Sequence, residues 1–381
     1  MSKPPPNVWA RCAQGSVDRA GFIVKLAVIG AGNGGVATAV ELTLAGHDVA
    51  LYGRSAATIA PFVQDGIRYT GVLGEGVVRP ALLSSRIAEV INGAEAAIIC
   101  LPTFAHVEVA RALHAAGWGA TRPVLLNPGH TGGAFEFDTA YRAAAGKAPP
   151  IVEFATLAYV ARKPVQDTVN ITGRAKSLRA AAMPGAGNAL RLASALFPGV
   201  YDSGDVTSCD LSNINMVVHP PGAILGAAWV EATRGDFTFY VQGLTPGVIE
   251  VMSALDRERI AVGKAFGHEL PNVIDEMKAV GTVPADADSR DYAAIASGEA
   301  NRRIKAPDSL SHRYYMEDFS HGLVPFLAYA HVAKVEVPIA SALTKLGLTA
   351  SAGRSAMVSR TATTMGFEGW SLEQLLQRAR G

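Results

Sequence analysis

The chain has 381 residues, enough for two or three domains that each bury their own core. Lys and Arg number 34 against 33 Asp and Glu, so charge balance makes no case for nucleic acid or an anionic membrane as a partner. Apolar residues make up 49%, yet no uninterrupted apolar run reaches the ~18 residues of a membrane span; the closest, Met216 to Val230, contains His219 and two prolines.

Met1 to Gly21 reads as an appendage. It carries Pro4-Pro5-Pro6 and no apolar segment of the secretory type, and residues 1–23 are expected to be a disordered extension or the product of an upstream start codon. Residues 25–55 then contain a βαβ unit. The apolar strand Lys25 to Ile29 runs without a spacer into Gly30-Ala31-Gly32-Asn33-Gly34-Gly35, which opens a helix. Gly30 makes the tight turn, Gly32 lets a pyrophosphate approach the backbone, and Gly35 lets helix and strand pack closely. The free N–H groups of the first helical turn, Asn33 and Gly34 among them, face the phosphates. Val36, Val40, Leu42 and Leu44 give an apolar face, and Gly46 ends the helix before the strand Val49 to Tyr52. The second strand ends in Gly53-Arg54-Ser55, where an NAD site places a carboxylate on the ribose 2′-hydroxyl. A guanidinium suits a 2′-phosphate instead, so NADP(H) is the preferred cofactor on this reading, with NAD(H) left open.

Ile67 to Ala81, broken by Gly71, Gly74 and Gly76, predicts a glycine-rich hairpin, and Ile87 to Ile91 a short helix. Ala96 to Leu101, Val124 to Leu126 and Ile151 to Ala155 are continuous apolar runs, as strands buried on both faces should be. Strands alternating with helices predict a parallel, doubly wound sheet. Ligands on such a sheet lie outside the carboxyl ends of its strands, which puts Gly30 to Gly35, Pro102-Thr103 and Asn127 to Gly133 on one rim. From Asp205 the texture changes to long helical periodicities, at Ile224 to Thr233, Val248 to Gly267 and Phe326 to His331. The expected division is a dinucleotide-binding domain over residues 24–204 and an all-α domain over 205–381.

Cys12, Cys100 and Cys209 lie far apart and suggest no disulfide framework, so a reducing cytoplasm is the default setting. The nine histidines are scattered, no group has metal-ligand spacing, and no metal is expected.

Several segments fall into one pattern: Asn127 to Ala134 (NPGHTGGA), Thr156 to Tyr159 (TLAY), Asn215 to Pro220 (NMVVHP), Gly243 to Pro246 (GLTP), Leu255 to Arg259 (LDRER), His312 to Asp318 (HRYYMED) and Gly322 to Pro325 (GLVP). In this order and spacing they resemble the octopine/nopaline (opine) dehydrogenase family over essentially everything after Val24. The resemblance implies a Rossmann domain followed by an α-helical domain of the 6-phosphogluconate-dehydrogenase-like type, with catalysis in the cleft. It implies reductive condensation of an amino acid with a 2-oxo acid by NAD(P)H. By motif match His219 is the catalytic histidine, Asp318 its carboxylate partner, and Arg313 the arginine that holds the oxo-acid carboxylate. Those residue types suit the chemistry independently. Histidine moves protons near neutrality, a carboxylate fixes its tautomer, and a guanidinium grips a carboxylate bidentately.

Alternatives stay open at several positions. Asp318 suits an N-cap, and Arg313 suits an i,i+4 pair with Glu317. Asn215, one helical turn before His219, serves as substrate ligand or as a backbone partner. Glu136 is the expected receiver of a cationic amino-acid side chain, with a solvated glutamate as the plainer reading. The departure at Gly53-Arg54 leaves the amino acid open, and monomer or homo-oligomer is undecided. Three other functions compete. A ketopantoate-reductase-like enzyme needs a lysine on the first helix of the second domain, and Asp205 to Thr233 has none. A sugar-nucleotide dehydrogenase needs an active cysteine, for which only Cys209 is placed. A non-catalytic NADP(H) sensor leaves the histidine, aspartate and arginine without a purpose.

Overall fold

A computed structural model describes residues 23–299, 301–352 and 359–381. The expectation for the first 22 residues therefore lies outside the described residues.

Strand β1 (Lys25–Ile29), helix α1 (Asn33–Leu44) and strand β2 (Asp48–Tyr52) form the expected βαβ unit, with Leu26 paired to Val49 in parallel register. Gly46, at φ +87, stops α1: its N–H bonds the Thr43 carbonyl and that of His47 the Leu42 carbonyl, the two bonds of a Schellman end. Next come α2 (Ala56–Val63), the antiparallel pair β3 (Ile67–Gly71) and β4 (Gly76–Val78), β5 (Leu82–Ser84) and α3 (Ile87–Val90). The chain continues through β6 (Ala96–Ile99), α4 (His106–Ala115), β7 (Val124–Leu126), α5 (Gly133–Ala145) and β8 (Ile151–Phe154). The main sheet has the order β12-β11-β8-β7-β6-β1-β2-β5. Its winding reverses between β1 and β6, and that switch point opens the crevice in which such sheets bind ligands.

Two features differ from the expected all-parallel sheet. After β8 the chain leaves it to make β9 (Tyr159–Val165) and β10 (Thr168–Arg174), which join β3 and β4 in a second sheet of order β4-β3-β10-β9, with β9 packed on α1. It then returns as β11 (Leu178–Ala182), antiparallel to β8, and closes the edge with α6 (Gly187–Leu196) and β12 (Val200–Asp202). The main sheet is therefore mixed. In β10, Val169 and Ile171 are buried while their neighbours are not, the period-2 pattern of a strand covered on one face.

The remainder is helical: α7 (Val206–Asp210), α8 (Asn215–Leu225), α9 (Ala227–Thr233), α10 (Pro246–Ala265), α11 (Val273–Val280), α12 (Arg313–Met316), a π-helical turn at Phe319–Leu323, α13 (Val324–Ala333), α14 (Pro338–Ala350) and α15 (Leu372–Arg380). The expected segment from Ile224 to Thr233 is split at Gly226, between α8 and α9. Among the described residues no helix is long and apolar enough to cross a membrane.

The core follows from strand alternation. Leu26 and Val28 point to one face of the main sheet, where they join Val36, Val40, Tyr159 and Leu192. Ala27 and Ile29 point to the other, joining Leu126, Phe135 and, from the helical half, Val217, Leu255 and Phe319. Each such aliphatic side chain contributes roughly 1.5–3 kcal/mol by leaving water. Shared burial on this second face holds the helical half against the sheet.

Candidate active site

Two of the three loop glycines, Gly30 and Gly35, are required by what surrounds them. Gly30 has φ +122, and a Cβ there would stand 2.5 Å from the Cys100 carbonyl oxygen. A Cβ on Gly35 would stand 1.7 Å from the Gly30 carbonyl oxygen, so helix meets strand at backbone contact. Gly32, the N-cap of α1, has open space where its Cβ would be. The loop thus presents an uncovered face beside the free N–H groups of a helix start, which fits a dinucleotide pyrophosphate. Asn33 accepts from the Lys163 backbone N–H at 3.1 Å, and Gly34 lies against Leu157. Arg54 is exposed and has no carboxylate partner among the described residues. Ser55 caps α2, its hydroxyl accepting from the Thr58 N–H at 3.3 Å.

Pro102 is exposed, but Thr103 is buried and its donors are already used. Its N–H and hydroxyl both donate to Glu317 Oε1, at 2.9 and 3.0 Å. Both donors thereby tie the sheet rim to the helical half.

His219 sits in mid-α8, just ahead of Pro220 and Pro221, and is 6% exposed. The prolines bring no N–H to the helix, so Met216 and Val217 lose their usual backbone partners one turn earlier. His219 Nδ1 lies 2.8 Å from Asp318 Oδ2, although the two residues are 99 apart in sequence. Asp318 stands at the N-cap of the π-helical turn, yet its side chain makes no capping bond, so the carboxylate is spent on the imidazole. The Tyr314 ring stacks on the imidazole at 3.8 Å and 17°, and Phe239 meets it edge-on at 6.0 Å. Tyr315 donates to the Ala223 carbonyl at 2.7 Å, fixing α12 against α8. The far nitrogen, Nε2, faces the Tyr240 hydroxyl at 2.8 Å. Burial pushes the Tyr240 phenol well up, and Tyr314 and Asp318 add to the shift, so this hydroxyl keeps its proton. With Asp318 holding a proton on Nδ1, Nε2 is the lone-pair nitrogen and Tyr240 donates to it.

Arg313 opens α12 and is half exposed, with Nη2 2.9 Å from Glu317 Oε2. The expected i,i+4 pair therefore forms, and the rest of the guanidinium makes no hydrogen bond to the described residues. Glu317 itself is buried. Burial pushes its carboxyl up, but the Arg313 charge, His130 and the two Thr103 donors more than offset this and hold it at about 2. Asn215 starts α8; its backbone N–H donates to Asn213 Oδ1 at 3.1 Å, and its side-chain amide makes no hydrogen bond to the described residues.

Glu136 is not where a substrate side chain can reach it. It is 3% exposed, accepts from Arg360 Nε at 2.9 Å, and accepts from the Thr364 hydroxyl at 2.9 Å. Arg360 is fully buried and also donates to the Gly129 and Thr131 carbonyls. A buried guanidinium without a counter-ion is costly, and Glu136 supplies it. Cys209 is also removed from chemistry, since burial and the neighbouring Glu153 and Asp210 push its thiol well up, the opposite of activation. Among the described residues no His, Cys or carboxylate group could hold a metal ion.

Tyr240 and Tyr314 are the site residues that sequence reasoning passed over. Tyr314 lies inside a quoted motif, HRYYMED, without an assigned role. Tyr240 follows His219 by 21 residues, a spacing that carries no helical or strand signal.

An open glycine loop at a sheet switch point, facing a helical half that buries a His–Asp pair, defines a nicotinamide-dependent oxidoreductase built in two parts. A family model described as NAD/NADP octopine/nopaline dehydrogenase, alpha-helical domain, matches residues 202–351, and one described as ketopantoate reductase PanE/ApbA matches residues 26–127. The opine dehydrogenase of Arthrobacter sp. (strain 1C) is 33% identical over 324 residues, covering 84% of this chain and 89% of that one. The chain belongs to the opine dehydrogenase family, NAD(P)-dependent oxidoreductases acting on the CH–NH group. The fold is shared with two distant solved structures. Octopine dehydrogenase with NADH and L-arginine has a TM-score of 0.72 at 20% identity, covering 93% of this chain and 98% of that one. Yersinopine dehydrogenase with NADP+ bound has 0.68 at 14%, covering 93% and 97%.

Proposed function

We propose that this protein condenses the amino group of an amino acid with a 2-oxo acid and reduces the product to an N-(carboxyalkyl)amino acid, and runs the reverse, with NADPH preferred over NADH. The observation that carries the reading is the buried His219, held by Asp318 on one nitrogen and meeting only a displaceable tyrosine hydroxyl on the other.

The nicotinamide supplies the hydride when bound. Gly30, Gly32, Asn33, Gly34 and Gly35 would hold the dinucleotide's pyrophosphate, with Arg54 and Ser55 at its ribose end and Pro102 on the same rim, after β6. The remaining chemistry falls to the helical half, from about residue 205. Asp318 fixes the imidazole and stabilises its cation. His219 Nε2 then takes the proton from the attacking ammonium and returns it as the carbinolamine loses water. Tyr240 gives up its bond to Nε2 as substrate enters. The free edge of Arg313 takes the oxo-acid carboxylate, its other edge being anchored by Glu317. Asn215, with its amide unspent one turn from His219, faces the second substrate.

The test is NADPH oxidation with pyruvate, oxaloacetate or 2-oxoglutarate against a panel of amino acids. Activity is expected only when both substrates are present, since a protonated imine accepts hydride better than a ketone. Equal oxidation with the oxo acid alone would replace this reading with a 2-oxo-acid reductase.

A further inference from the structure

We propose that Lys163, on β9 of the small sheet, is a cation of the cofactor site whose ammonium takes a phosphate oxygen of the dinucleotide; this rests on the nicotinamide-cofactor reading of the glycine loop. The βαβ unit supplies the loop, but this charge comes from an element outside that unit.

Three observations place it there. The Lys163 backbone N–H donates to Asn33 Oδ1 at 3.1 Å, on the first residue of α1. Its Nζ donates to the Ala31 carbonyl at 3.1 Å, inside the glycine loop and one residue from the open face at Gly32. Its stem passes over α2, with Nζ 5.6 Å from the centre of the Phe62 ring. The ammonium is therefore fixed at the mouth of the loop by contacts on both sides.

The charge balance there is incomplete. Among the described residues Lys163 has no carboxylate partner, and one carbonyl satisfies only one of its three donors. Arg174, on β10, shows what a structural cation looks like in this sheet: it meets Glu41 at 2.6 Å. Half-burying an ammonium without a counter-ion is unfavourable, and burial accordingly pushes its pKa down. A cation held this way beside a helix N-terminus and an uncovered glycine is an anion site short of its anion. Arg54, at the end of β2, is the second unpaired cation on the same rim.

The phosphate is either in the pyrophosphate, common to both nicotinamide dinucleotides, or the 2′-phosphate of NADPH alone. Titrating the full chain with NADPH and with NADH, followed by nucleotide fluorescence without substrate, separates them. Lys163→Gln is expected to raise the Kd of NADPH by about tenfold, as loss of a charge-assisted hydrogen bond does. Lys163→Arg should stay within about threefold of the parent, and the gap between Gln variant and parent should close in high salt. An equal loss for NADH assigns the pyrophosphate, and a loss confined to NADPH assigns the 2′-phosphate. Kd values within twofold of the parent for both nucleotides overturn the proposal. So does an equal loss in Lys163→Gln and Lys163→Arg, because that is the mark of a purely positional side chain. A parent that prefers NADH would defeat the NADPH reading while leaving this test intact through its NADH arm.

Discussion

Two buried polar clusters in the helical half have nearly the same parts and opposite uses. Around Asp256 on α10, one oxygen accepts from Arg259 Nε at 2.7 Å, and the other accepts from the Val273 N–H at 2.8 Å and the Tyr292 hydroxyl at 2.7 Å. Arg259 also donates from Nη1 to the Leu211 carbonyl and from Nη2 to the Pro271 carbonyl. Both charged residues are fully buried, and backbone groups complete their bonding. Around Asp318 the basic partner is a histidine and the tyrosine bonds to that histidine rather than to the carboxylate. Side chains alone make these contacts to the imidazole. A bond to backbone can be lost only by unfolding something, whereas a bond to a side-chain hydroxyl can be exchanged for one to a ligand. The first cluster is therefore a rivet, and the second a candidate site.

Substitutions should separate them, and the largest effect belongs to the site. His219→Ala is expected to lose ~10²–10⁴-fold in turnover while still binding NADPH and keeping its helical circular dichroism. Near-normal turnover would make His219 a core residue like those around it. Asp256→Ala should act the other way, costing about 3–5 kcal/mol of folding free energy in urea titration, because Arg259 is left as an unpaired buried charge. A loss below 1 kcal/mol would mean that the rivet holds nothing. Tyr240→Phe should lower kcat/KM by about tenfold, with the Kd for NADPH unchanged. An unchanged kcat/KM would mean that the hydroxyl leaves Nε2 without consequence. The smallest test concerns the rim. The parent should prefer NADPH by about tenfold, and Arg54→Asp should cancel or reverse this, read as a ratio of kcat/KM values.

The cofactor half was legible because its requirements are local. Strand, glycine turn, helix and second strand follow one another within 31 residues, and each glycine answers to a neighbour a few residues away or to the adjacent strand. The His219–Asp318 pair was legible only as a motif match. No spacing argument joins positions 99 residues apart; the fold does so, by packing α12 and the π-helical turn against α8. Tyr240 was missed for that reason. The partners of Thr103 and Glu136 were missed for another reason: a motif or loop position shows that a polar residue is near the cleft, but not whether a buried partner has already taken it. Arg360, the partner that takes Glu136, lies 224 residues further on. The small sheet was half read, since the β3–β4 hairpin is sequence-local, whereas the parallel pairing of β10 with β3 spans about 100 residues.

The Glu317 bridge has a kinetic consequence. A carboxylate without access to water accepts two bonds from Thr103 on the sheet rim and an ion pair from Arg313 at the substrate side. Pulling rim and helix apart along this line would strand a buried charge and an unpaired backbone N–H together, a barrier of several kcal/mol before any water arrives. Thermal opening along that line is therefore rare.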